Sequence, residues 1–186
     1  MLIDVNESLL ILVDAQEKLM PYIHEYEKLI EHCGWLLKAA AFMDVPVMAA
    51  EQYPQGLGHT IPELAALLPA QTPVISKNSF SCLSEKKCID YLKQEPKEQI
   101  ILMGIEAHVC VLQTALEMLD AGHEVYVVAD AVSSRYENDY RHALDRMNGE
   151  GVILVTREMV VFEWLRGTVG TDRFRDAQRL LFPKLS

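Results

Sequence analysis

Short apolar runs alternate along this chain with longer stretches of helical periodicity. The runs are "LLILVD" (Leu9–Asp14), "VPVMAA" (Val45–Ala50), "PVISK" (Pro73–Lys77), "QIILMG" (Gln99–Gly104), "EVYVVAD" (Glu124–Asp130) and "VILVT" (Val152–Thr156). Each is short enough for a strand and apolar at successive positions, which suits a strand covered on both faces. Between them the spacing predicts helices near 27–43, 62–68, 84–94, 108–121 and 138–148, with a last helical region after Thr156. Strands alternating with helices predict a single three-layer α/β/α domain over residues 1–186, built on a six-stranded parallel sheet. The stretch "YPQGLGHTIP" (Tyr53–Pro62) reads as a surface loop entering a helix at Pro62, or as a lid over a site.

Ligands of such sheets bind at the carboxyl ends of the strands. Those ends carry Asp14, Glu51, Lys77, the segment Gly104–Cys110, Asp130 and Thr156.

Composition narrows the classes of partner. Half of the residues are apolar and 24% charged, which excludes wholesale disorder. The net charge of −10, with no evident Lys/Arg cluster, argues against nucleic acid as a partner. No apolar run reaches the roughly 18 residues of a membrane helix, so no membrane partner is expected. Cys33, Cys82, Cys88 and Cys110 lack paired metal spacing and read as reduced thiols of a cytoplasmic protein.

Cys110 sits where the fourth run gives way to a helix. Two readings are open: a small buried hydrophobe, or a nucleophile whose thiolate is favoured by the helix N-terminus, with nearby amides able to hold an oxyanion. A nucleophile needs a base or cationic neighbour. His59 and His108 lie on the same side of the sheet, but His108 is so near in sequence that lining a pocket or plain exposure suits it better. Lys77 ends the third run, where a lysine is either solvated or part of a site. Asp14 ends the first, as a helix cap or as a catalytic carboxylate, with Gln16 and Lys18 close behind.

The set "LLILVDAQEKL", "PVISKNSFSCL", "GIEAHVCVLQTALEML", "VVADAVSSR" and "ALDRMNGEGVILVTREMVVFEWL" spans Leu9 to Leu165. In this order it resembles the isochorismatase-like cysteine hydrolases, nicotinamidase-related enzymes, and within them the isochorismatase-domain-containing subgroup. The resemblance implies strand order 3-2-1-4-5-6 and a catalytic triad of Asp14 as base, Lys77 as charge holder and Cys110 as nucleophile. It also implies a cis peptide between Ile105 and Glu106 that turns the Glu106 N–H, with that of Cys110, toward an oxyanion. With the third strand roughly 10 Å from the first, Lys77 must reach back toward Asp14.

Nicotinamidases of this family hold a metal through a D-x-H stretch. The corresponding stretch here is "AAEQYPQGLGHT", where Glu51 and His59 alone are a weak ligand set. No metal and no other cofactor are expected. A cysteine nucleophile suits an amide, carbamoyl or related carbonyl of a small-molecule substrate, through a thioester. Glu51, Gln52, Tyr53, Phe80 and His108 are candidates for the pocket wall, with loop packing as their alternative. A non-catalytic binding or scaffold protein of the same fold is the rival reading, and a redox-active thiol a further one. The resemblance also implies a homo-oligomer, dimer or larger. The stretch "MVVFEWL" (Met159–Leu165) can serve an interface or simply pack as a buried last helix.

Overall fold

A computed structural model describes residues 1–167 and 169–182 of the chain. The sheet consists of β1 (Ser8–Val13), β2 (Val47–Gln52), β3 (Val74–Lys77), β4 (Gln99–Ile105), β5 (Glu124–Ser133) and β6 (Ile153–Val155). All neighbours pair in parallel, in the order β3-β2-β1-β4-β5-β6. The helices are α1 (Tyr26–Met43), α2 (Pro54–Leu57), α3 (Pro62–Ala65), α4 (Lys86–Gln94), α5 (Leu112–Asp120), α6 (Glu137–Glu150), α7 (Arg157–Leu165) and α8 (Asp172–Leu181).

The continuous apolar character of β1 follows from its central place. Successive side chains point to opposite faces. Leu10 and Leu12 join the core shared with α1, α7 and α8, whereas Leu9, Ile11 and Val13 join the core beneath α4, α5 and α6. Every residue of β1 is buried.

Most element ends shift by one or two residues, and three differences are larger. The helix predicted over 62–68 stops at Ala65, and the stretch before Pro62 forms the short helix α2 as well as loop. Strand β5 runs on to Ser133 because "AVS" continues its buried apolar pattern past Asp130, and the register shifts between Leu102 and Gly104 where it pairs with β4. Helix α7 is followed by α8 and so is not the last helix. Its Val160, Val161, Trp164 and Leu165 are buried, and the Trp164 indole N–H donates to Ser8 Oγ at 2.9 Å. Met159 and Phe162 stay partly exposed, with Phe162 stacked on Phe182 at 4.9 Å. Among the described residues, no helix is long and apolar enough to cross a membrane.

The exit from β4 depends on Gly104. Its φ is +113°, and a Cβ there would lie 2.1 Å from the carbonyl oxygen of Val13 on the neighbouring strand. Backbone cannot yield as a flexible side chain can. Gly104→Ala is therefore expected to lower stability by at least about 2 kcal/mol. Urea denaturation checks this, and a variant as stable as the parent would contradict it.

Candidate active site

Asp14 follows directly on β1, with φ +48° and 1% exposure. Its N–H donates to Ala50 O of β2 at 3.0 Å, and no helix begins there for it to cap. Lys77, the last residue of β3, is also 1% exposed, which rules out the solvated reading. Its side chain reaches across the width of β2 to place Nζ 2.7 Å from Asp14 Oδ2. The same Nζ donates to Gln52 Oε1 at 2.7 Å and to Ser79 O at 3.3 Å. An ammonium has three protons, so these acceptors saturate it. Asp14 Oδ1, by contrast, is buried without a hydrogen-bond partner.

Cys110 completes the cluster. It lies in a π-helical turn, Ala107–Val111, that runs straight into α5, and it is 7% exposed. The Val109 and Val111 amides both donate to the Glu106 carbonyl, at 3.0 and 3.2 Å. The peptide bond between Ile105 and Glu106 is cis. Among the described residues the Glu106 N–H has no acceptor.

The electrostatics tie the cluster together. Burial raises the Asp14 carboxyl above its ordinary range, against the opposing charge and hydrogen bond of Lys77. Burial works against the Lys77 ammonium, but the charges of Asp14 and Cys110 outweigh it and leave Lys77 above its usual value. Burial, then the Asp14 charge, push the Cys110 thiol up to about 12, with Lys77 pulling the other way. A helix N-terminus would favour a thiolate, which is one of the two readings of Cys110 open from the sequence. Low exposure and a facing carboxylate dominate instead, so the resting sulfur is protonated.

The candidate wall residues divide. Gln52 is bound to Lys77, as described, and its Nε2 donates to Asn78 O at 3.0 Å. Glu51 is engaged by its neighbours: Oε1 accepts from Thr60 N and Oγ1, and Oε2 lies 3.0 Å from His59 Nδ1. Among the described residues no group of three or more His, Cys, Asp or Glu side chains is placed to hold a metal. Tyr53 and Phe80, on the loops after β2 and β3, are about half exposed. His108 is held by Ser134 Oγ at 2.9 Å, with Asp139 Oδ2 at 3.8 Å. The Glu106 carboxylate accepts from Arg135 Nε at 2.9 Å. A cavity of about 170 Å³ opens beside the end of β5, lined by His24, Asp130, Ser133 and Tyr140 among others, and Cys110 is not in its wall.

Gln16 was noted in the sequence only as a neighbour of Asp14. It is fully buried, accepts from Gln52 N at 2.7 Å, and donates to Gln52 O at 2.9 Å and Gly58 O at 2.7 Å. A glutamine two places after a strand-end aspartate was the available signal, but its partners are 36 and 42 residues away.

A family model, the isochorismatase domain, matches residues 8–159. The chain belongs to the isochorismatase family. Isochorismatase domain-containing protein 2 of Danio rerio is 39% identical over 176 residues, covering 94% of this chain and 86% of that protein. Isochorismatase family protein 1A of Dictyostelium discoideum is 37% identical, covering 85% and 78%. Among solved structures, the MAR1 ribonuclease from Caenorhabditis elegans superposes with a TM-score of 0.90 at 38% identity, covering 97% of this chain and 92% of that one. The YcaC gene product of Escherichia coli, described as an octameric hydrolase of unknown specificity, also gives 0.90, at 26% identity over 98% and 92%. Fold and strand order in this isochorismatase-family chain are those the resemblance implied.

Lys77→Met leaves the Asp14 carboxylate buried without its cation, at an expected cost of about 3–5 kcal/mol at neutral pH. Removing Lys77 takes away a lowering influence, so the folded-state value of Asp14 climbs further above its ordinary 3.8. A raised value favours folding below the unfolded value, and that advantage is lost as pH rises through the folded one. The variant's deficit should therefore be smaller at about pH 4 than at about pH 7. Equal deficits in urea titrations at both values would contradict the ion pair.

Proposed function

We propose that this chain is a cysteine hydrolase acting on the carbonyl of a small amide, carbamoyl or related compound, with Asp14, Lys77 and Cys110 as its catalytic groups. One observation carries the reading: a buried carboxylate oxygen, Asp14 Oδ1, has no partner, beside a thiol that needs a base. With the thiol held at about 12, proton transfer to Asp14 accompanies attack rather than preceding it.

The Cys110 proton passes to Asp14 as sulfur bonds to the carbonyl carbon, and the carbonyl electron pair moves onto oxygen. The Glu106 and Cys110 amides hold that oxyanion, while Lys77 offsets the negative charge of the site. Collapse breaks the C–N bond, and the amine or ammonia leaves with the proton from Asp14. Asp14 then takes a proton from water as the water oxygen attacks the thioester; collapse breaks the C–S bond, and Asp14 returns the proton to sulfur, leaving the acid and the free thiol. Tyr53 and Phe80 flank the approach, and His108 forms part of the wall on the other side.

The Escherichia coli neighbour, described as an octameric hydrolase, supports both hydrolysis and a homo-oligomer of two or more copies. The word ribonuclease belongs to the Caenorhabditis elegans protein; for this chain the net charge of −10 weighs against gripping a phosphate backbone. Four free cysteines fit a reducing, cytoplasmic setting.

Access decides among the four thiols: Cys110 is 7% exposed and the other three 0%, so the lowered value of Cys88, which comes from its hydrogen bond with Cys82, meets no reagent in the folded chain. Iodoacetamide should therefore label Cys110 first in the folded chain, read by peptide mass mapping. In a panel of amides and carbamoyl compounds, Cys110→Ala should lose at least about a thousandfold of any turnover while keeping the parental melting curve. A trapped acyl adduct on Cys110 would support the mechanism. Full activity in the alanine variant would refute it, and a folded parent inert throughout the panel would favour a binding role.

A further inference from the structure

The triad's ammonium is aimed by residues outside the triad. Gln52 lends its side-chain oxygen to Lys77 Nζ at 2.7 Å, the same distance as Asp14 Oδ2. Gln52 is in turn gripped through its backbone by Gln16, which accepts from its N–H and donates to its carbonyl. The second proton of the Gln16 amide goes to Gly58 O, on the loop that leads on to the Glu51–Thr60 contact. One fully buried amide thus joins the start of the loop after β1, the end of β2 and the loop after α2.

The geometry points to Gln52 as a positioning residue for Lys77, with Gln16 as the clamp that holds Gln52 in place. This rests on the reading of Cys110 as nucleophile and assigns Gln52 a task other than touching substrate. The physical content is an allocation of protons. With Gln52 and Asp14 Oδ2 at 2.7 Å and Ser79 O at 3.3 Å drawing on the three ammonium protons, the sulfur reaches Lys77 only in competition with them. Asp14 Oδ1 stays free to receive the thiol proton. Without the Gln52 oxygen, one ammonium proton in a buried site would lose its acceptor and turn toward the Asp14–Cys110 side, where the sulfur, already within the influence of Lys77, can take it as thiolate. The thiol would then ionise more easily.

The test is the rate at which iodoacetamide alkylates Cys110 in the full-length chain as pH is varied, followed by peptide mass mapping, and it requires no substrate. Gln52→Leu removes the acceptor and should speed alkylation roughly tenfold at about pH 8, equivalent to a fall of about one unit in the apparent thiol value. Gln52→Glu keeps an acceptor for Lys77 but adds a negative charge, and should slow the reaction. Gln16→Met, checked for folding by circular dichroism, should move the rate in the same direction as Gln52→Leu.

A purely structural role would shift both Gln52 variants the same way. That result, or no shift in either, would overturn the role of Gln52, and a parental rate in folded Gln16→Met would overturn the clamp. If Cys110 in the parent is not the thiol that reacts, it is the nucleophile reading that fails, which is a distinct outcome from unchanged rates at a Cys110 that does react.

Discussion

Two opposite charges sealed from water at the end of the central strand organise one end of this domain. Lys77 and Asp14 each show 1% exposure, and neither could be buried alone without a large desolvation cost. Because they come from β3 and the end of β1, the pair holds strand ends together across β2. It also leaves the site asymmetric: the cation is fully paired and the carboxylate half paired. In the proposed mechanism it is this free carboxylate oxygen that receives the thiol proton.

The remaining architecture brings a thiol within the influence of that carboxylate. Parallel pairing sends the carboxyl ends of all six strands to one rim, so Asp14, Lys77 and the Glu106 turn arrive there together. Gly104 lets β4 lie against the backbone of Val13 at the level of the site. The π-helical turn then carries Cys110 away from the ordinary start of an α-helix. Its thiol is thus governed by burial and by a facing carboxylate more than by a helix dipole, which keeps it protonated.

This arrangement suits chemistry in which proton and sulfur act together. A permanently ionised thiolate would react with any electrophile that reached it. Under the proposed mechanism, a protonated thiol beside a buried base stays quiet until a carbonyl is seated, and the narrow exposure of Cys110 fits that restraint. Gln52 and Gln16 fit the same logic, because a site that relies on the placement of one proton needs neighbours that fix where the other protons go.

What the sequence by itself determined was whatever depends on local pattern. Doubly apolar runs alternating with helical spacing specify a covered parallel sheet, and the ordered motifs from Leu9 to Leu165 specify the family and the candidate residues Asp14, Lys77 and Cys110. The extent of β5 and the shortness of α3 escaped because strand and helix ends are decided by neighbouring elements rather than by their own residues. Tertiary structure alone decided the state and partners of each group. Gln52 lends its oxygen to Lys77, Glu51 meets Thr60 and His59, and Gln16 reaches partners 36 and 42 residues away. Burial and charge act through space, and a list of residues carries no record of which of them share it.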